Sequence, residues 1–94
     1  LNVPLRFEWD EEKDRKNWSK HGVSFAEAKA VFNDPFAVTI YDPDHSVEED
    51  RYIDLGLSTN GRLIVVSYTE RGGRIRIISS RKATASERKR YEEE

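Results

Sequence analysis

The 94-residue chain is long enough for one domain with a single small core and too short for two. Apolar and charged residues each make up 36%, and the absence of cysteine excludes a disulfide framework and a thiolate nucleophile. The net charge of −2 conceals two opposed halves: residues 1–50 carry six basic groups against twelve acidic, whereas Arg51 to Tyr91 carry ten against three. Arg presents a planar fork of donors matched to phosphate oxygens, so this basic second half points to an anionic partner. No charged segment leads into an apolar signal-like run, and no stretch approaches the roughly 20 apolar residues of a membrane span. A cytoplasmic protein with no membrane contact is expected.

In chain order, Phe7 and Trp9 form a short apolar opening. Asp10 is placed to cap a helix that runs through Glu11 and Glu12 and ends before Gly22. This helix is highly polar, with Lys13, Asn17 and Lys20 on one face and Trp18 as its one large apolar group. Ser24-Phe25-Ala26-Glu27 reads as a capping box, with Val23 and Ala28 placed as a staple, and opens a second helix that Asn33-Asp34-Pro35 stops. The period then becomes extended. Strands are expected at residues 36–41, 51–57, 62–69 and 74–80, with turns at Ser58-Thr59-Asn60-Gly61 and Glu70-Arg71-Gly72-Gly73. Thr84-Ala85-Ser86-Glu87 is a further capping box, opening a short basic helix through Tyr91 ahead of the acidic Glu92 to Glu94 tail. Leu1 to Pro4 are compatible with native sequence or a cloning remnant.

The implied fold class is α+β, a single domain over residues 1–94: two N-terminal helices and a short C-terminal helix against an antiparallel sheet meander. If the Glu70–Gly73 link sets Thr69 opposite Arg74, Ser67 meets Arg76 and Val65 meets Ile78 on one face. Ile64, Val66, Tyr68, Ile75 and Ile77 make the other face, the better core. By the same alternation Arg81 falls on the core side, where it caps a helix or pairs with Glu87.

The combination FEWD-x-x-K, N-x-x-KHGVSF-x-EA-x-x-VF-x-DP, D-x-D-x-S, Glu49-Asp50-Arg51 and RIIS-x-RKAT-x-x-E-x-x-x-Y, over roughly Phe7 to Tyr91, resembles the BrnT family of bacterial toxins. The resemblance implies a compact fold similar to RelE-type toxins and metal-independent endoribonuclease activity that inhibits translation, with no cofactor. It also implies a cognate antitoxin of the BrnA type, a small ribbon-helix-helix protein that neutralises the toxin and recruits it to promoter DNA.

Cleavage of RNA without a metal uses the substrate's 2′-hydroxyl as nucleophile, so the protein must supply a proton acceptor, a proton donor and cations around phosphorus. Arg76 and Arg81 are assigned to phosphate and transition-state stabilisation, with Arg74 and Arg71 as outer contacts. His21, beside Lys20 in the KHG triplet, is the first candidate for proton transfer, since histidine changes charge near neutral pH. Glu70, at the mouth of the hairpin beside Arg71, is the alternative base. Each has a structural reading: His21 as a cation at a helix C-terminus packed on Trp18, Glu70 as a paired turn residue. Lys20 and Tyr91 complete the candidate RNA contacts, although an aromatic at Tyr91 equally suits a helix anchored on the sheet. Tyr68 departs from the family pattern, which carries His in this strand position; if it faces the core, as the pairing above suggests, the exchange matters little, and if it faces the cleft, rate or base preference differs. His45 lies in an acidic loop (Asp42, Asp44, Glu48, Glu49, Asp50) whose spacing lacks the EF-hand pattern, and it reads as solvated with no metal site. The same arginines also fit a non-catalytic nucleic-acid-binding module, or charged halves that serve only protein assembly.

Overall fold

A computed structural model describes residues 4–93, so most of the Leu1 to Pro4 segment and the last residue of the acidic tail lie outside the described residues. Five strands, β1 (Phe7–Glu8), β2 (Val38–Tyr41), β3 (Arg51–Leu57), β4 (Leu63–Arg71) and β5 (Arg74–Lys82), form one sheet in the order β1-β5-β4-β3-β2. Strands β2 to β5 are an antiparallel meander, as their short links require. The short apolar opening supplies a strand that the sequence pattern did not reveal: β1 pairs parallel with β5, so the sheet is mixed. Two residues carry too little alternation to announce a strand.

Helix α1 (Glu11–His21) is capped by the Asp10 carboxylate, which accepts from the Glu12 and Lys13 amides at 2.8 and 3.1 Å, and it ends at Gly22 with φ of 68°. Its buried residue is Asn17, whereas Trp18 is 59% exposed. The helix is held by a polar clasp in place of an apolar stripe. The Asn17 side-chain amide donates to the Val23 and Ser80 carbonyls, both at 2.8 Å, and its oxygen accepts from the Ser80 amide at 3.1 Å.

The second helix is shorter than its pattern suggests: α2 (Phe25–Ala28) continues as a 3-10 helix over Lys29–Asn33. Ser24 Oγ accepts from the Glu27 amide as a cap, but Glu27 does not complete a box. It turns to Ser58 Oγ at 2.7 Å and to the Arg62 guanidinium. Val23 and Ala28, the expected staple, are both fully buried. The main core lies between these helical segments and one sheet face, and contains Val23, Phe25, Ala28, Val31, Ile64, Val66, Tyr68, Ile75 and Ile77.

Across the sheet, α3 (Ala85–Glu93) covers a smaller cluster of Leu55, Leu63 and Val65 together with Val38, Ile53, Ala83 and Tyr91. Its capping box closes in both directions, with Glu87 Oε1 accepting from the Thr84 amide at 2.8 Å and Thr84 Oγ1 from the Glu87 amide at 3.2 Å. The helix runs two residues past Tyr91, into the acidic tail.

The β4–β5 hairpin corrects the expected register. Its turn is the two residues Gly72 and Gly73, with φ of 55° and 78°, so Arg71 faces Arg74 and Thr69 faces Arg76. A shift of two residues keeps every side chain on its face, so the core assignments survive. A bulge then intervenes where Tyr68 pairs with Ile77 and Ser67 with Ser79. Ile78 is the extra residue, and parity beyond it is inverted. Arg81 therefore lies opposite Val65, on the face away from the main core, contrary to the alternation argument.

Candidate active site

On the sheet face that α3 leaves partly open, the register sets Arg51, Thr69 and Arg76 in one row and Ile53, Ser67 and Ser79 in the next. Residues 42–50 fold against this end. The loop is tied down by the Asp42 amide donating to the Arg51 carbonyl at 2.9 Å and the Arg51 amide donating to Ser46 Oγ at 2.9 Å. From the sheet, Thr69 Oγ1 donates to the Asp50 carbonyl at 2.6 Å. Pro43 opens a single 3-10 turn, Pro43–His45, that brings His45 back over Asp42. His45 Nδ1 lies 2.8 Å from Asp42 Oδ2. A carboxylate on Nδ1 fixes that nitrogen as the donor and leaves Nε2 as the free proton acceptor.

The pair borders a recess of about 210 Å³ lined by Asp42, His45, Arg51, Ser67, Ile78 and Ser79. Arg51 enters it without an ion pair among the described residues, and its Nε is buried with no acceptor. Arg71 donates twice to Glu49, at 3.1 Å each, and Arg76 donates to Glu8 at 2.8 Å. Glu49 is held below the usual carboxylate range first by the Arg71 hydrogen bonds and then, after the opposing effect of burial, by the charges of Arg71, Arg51 and Arg76. Three guanidinium groups from β3, β4 and β5 thus converge around one end of this face.

The residues singled out from sequence do not form one cleft. Neither Arg76 nor Arg71 lines the recess: Arg76 stands one row from Ser67 and Ser79, opposite Thr69, and Arg71 one row further, facing the exposed Arg74 across the hairpin. Arg81 shares the face but lies a row beyond, locked to Glu87 by two hydrogen bonds of 2.8 and 2.9 Å. Glu70 pairs with Ile75, on the helix-covered face, so strand alternation turns it away from Arg76. His21 and Lys20 line a separate groove between α1 and β5. Tyr91 donates to Asp34 Oδ2 at 2.6 Å, and this bond raises its hydroxyl to about 12, as befits an anchor for α3. Tyr68 is buried in the core, stacked on Tyr52, with its hydroxyl 2.8 Å from Asp54 Oδ1. The residues that sequence reasoning passed over are Asp42, His45 and Arg51. The D-x-x-H spacing across a proline turn and the Glu49-Asp50-Arg51 motif were the available signals. Neither says which part of the sheet the loop will reach.

These features define a small α+β protein whose sheet carries a histidine–carboxylate pair and a guanidinium cluster on a half-open face, equipment suited to a phosphodiester. A family model described as the ribonuclease toxin, BrnT, of type II toxin-antitoxin systems matches residues 9–87. The chain belongs to this family of ribonuclease toxins. The crystal structure of the Brucella abortus ribonuclease toxin, BrnT, is similar, with a TM-score of 0.63 and 25% identity, covering 86% of this chain and 99% of that one. No curated protein sequence gives a significant match.

Proposed function

We propose that the protein is a metal-independent endoribonuclease whose proton-transfer group is His45, oriented by Asp42, with Arg51 and Arg76 binding the scissile phosphate. The observation that carries this reading is the Asp42–His45 pair at 2.8 Å beside the unpaired Arg51 in one recess. His45 Nε2 accepts the proton of the 2′-hydroxyl as that oxygen attacks phosphorus, and Asp42 stabilises the imidazolium formed. The bond to the 5′-oxygen breaks, and that oxygen leaves with a proton from solvent. The products are a 2′,3′-cyclic phosphate and a 5′-hydroxyl. Arg51 and Arg76 oppose the charge that grows on the phosphoryl oxygens, and a bound oxyanion gives the buried Arg51 Nε its missing acceptor.

Purified protein should fragment a long RNA in the presence of EDTA. His45→Ala should lower the rate by about 100- to 10,000-fold and Arg51→Ala by about 100- to 1,000-fold, with folding retained. RNA that stays intact while bound would sink the enzymatic reading in favour of a binding module. Full activity in His45→Ala would return the base to His21 or Glu70.

In the cell the activity would block translation in the cytoplasm, held in check by a cognate BrnA-type ribbon-helix-helix antitoxin that brings the complex to promoter DNA. Membership in a type II toxin-antitoxin family supports an antitoxin partner. An adjacent small reading frame with a ribbon-helix-helix pattern, and a complex on co-expression, are the tests.

A further inference from the structure

Resting on the ribonuclease reading, we infer that the groove between α1 and β5 is a second subsite, which holds the phosphates of a single-stranded RNA on one side of the cleavage point. The groove has a volume of about 220 Å³ and is lined by Lys13, Lys16, Asn17, Lys20, His21, Ile78 and Ser79. Ile78 and Ser79 also line the recess that holds His45 and Arg51, so the two depressions meet on the bulged part of β5. The bulge makes this possible, because an extra residue lets neighbouring side chains serve both sides of the strand.

The helix is built for the purpose. Lys13, Lys16, Asn17 and Lys20 stand at i, i+3, i+4 and i+7, the stripe that an ordinary surface helix fills with apolar residues for the core. Only Asn17 is buried, and its hydrogen bonds to Ser80 and Val23 hold the helix against β5. The three lysines are exposed and none forms an ion pair among the described residues; the helix's one such pair, Arg15 with Glu12, lies outside the groove lining. Seven residues at about 1.5 Å each place Lys13 and Lys20 about 10 Å apart along the axis, a track and not a point contact. β1 pairs only with Ile75 and Arg76, and Asn17 takes the backbone groups of Ser80, so the edge of β5 between them, at Ile77 to Ser79, is covered by no strand among the described residues and leaves room for an extended chain along the groove. Closely spaced, unpaired ammonium groups along an open groove suit a flexible polyanion, which gains by releasing counterions.

The test is fluorescence anisotropy with a labelled 2′-O-methyl RNA strand of about 12 nucleotides, which cannot be cleaved, between about 50 and 200 mM salt. The double variant Lys13→Gln/Lys16→Gln should bind roughly 10- to 30-fold more weakly, with the slope of log affinity against log salt reduced by about 1.4, two single-strand phosphates' worth. A charge-matched control, Lys82→Gln/Lys89→Gln, should lose much less. Unchanged affinity and slope in the groove variant, or an equal loss in the control, would overturn the proposal. Binding is read whether or not the protein cuts. A groove-dependent complex with no cleavage of unmodified RNA therefore counts against the nuclease reading alone.

Discussion

Tyr68→Phe separates a core tyrosine from a catalytic one. The substitution deletes a single hydroxyl that is 2.8 Å from Asp54 Oδ1, in a pair where the two residues are 7% and 5% exposed. Burial pushes the Asp54 carboxyl above its usual 3.8, and the hydroxyls of Tyr68 and Thr39 act against that rise. Between 3.8 and its folded value Asp54 binds more protons folded than unfolded, so its ionisation removes stability as pH rises through that window. The Tyr68 hydroxyl offsets part of this loss, since it donates to the ionised form. Without it a buried carboxylate keeps one side-chain donor fewer, which costs about 1–3 kcal/mol at neutral pH. Each kcal/mol should lower the Tm of a domain this size by about 4–8 °C. Urea unfolding followed by tryptophan fluorescence at neutral pH should show the loss, and the difference from wild type should shrink at acidic pH as Asp54 takes up its proton. RNA cleavage per folded molecule should stay within about threefold, a barrier change under about 1 kcal/mol. Undiminished stability combined with lost cleavage would refute the argument and put the hydroxyl in the cleft.

Two further substitutions test the scaffold of the site. Glu87 is pulled from 4.5 down to about 2, first by the Arg81 hydrogen bonds, so its contribution is complete above pH 4.5 and is lost as pH falls from there toward 2. Glu87→Gln should cost about 1 kcal/mol at neutral pH, discounted for side chains 42% and 29% exposed, and should flatten acid unfolding in that window; parallel acid titrations of mutant and wild type would contradict this. Gly56→Ala would put a Cβ 2.9 Å from Val31 Cγ1, 3.1 Å from Ala37 Cβ and 3.2 Å from Asp34 Oδ2. Overpacking of about 1–3 kcal/mol should appear as a lower urea midpoint with unchanged m, and an unaltered midpoint would mean that β3 and the 3-10 segment separate easily.

Local rules carried much of the fold because the elements announce themselves locally. Asp10, Ser24 and Thr84 all cap as their positions suggest, and the Ile64, Val66, Tyr68, Ile75, Ile77 face survives a register error because the error is an even number of residues. The bulge at Ile78 had no such signature. It inverts Arg81 and makes Ile78 and Ser79 the shared floor of two depressions, a consequence invisible to strict alternation. The candidate site was less legible still, since Asp42 and His45 belong to a loop with no periodicity, and its place over β4 and β5 is set by hydrogen bonds from Thr69 and Arg51.

The charge asymmetry along the chain is largely cancelled by folding. Opposite halves of a chain fold onto each other: Glu8 takes Arg76, Glu27 takes Arg62 and Glu49 takes Arg71. Much of the basic excess after residue 50 is therefore spent inside the protein. Among the described residues, the cations that line the two depressions, Arg51 at the start of that segment and Lys13, Lys16 and Lys20 of α1 in the half that counts as acidic, form no ion pair with a carboxylate. The charge count of a segment is therefore a poor guide to an anion-binding surface, which depends on where folding sets individual cations: here Arg51 and the α1 lysines flank the Ile78–Ser79 bulge from both sides.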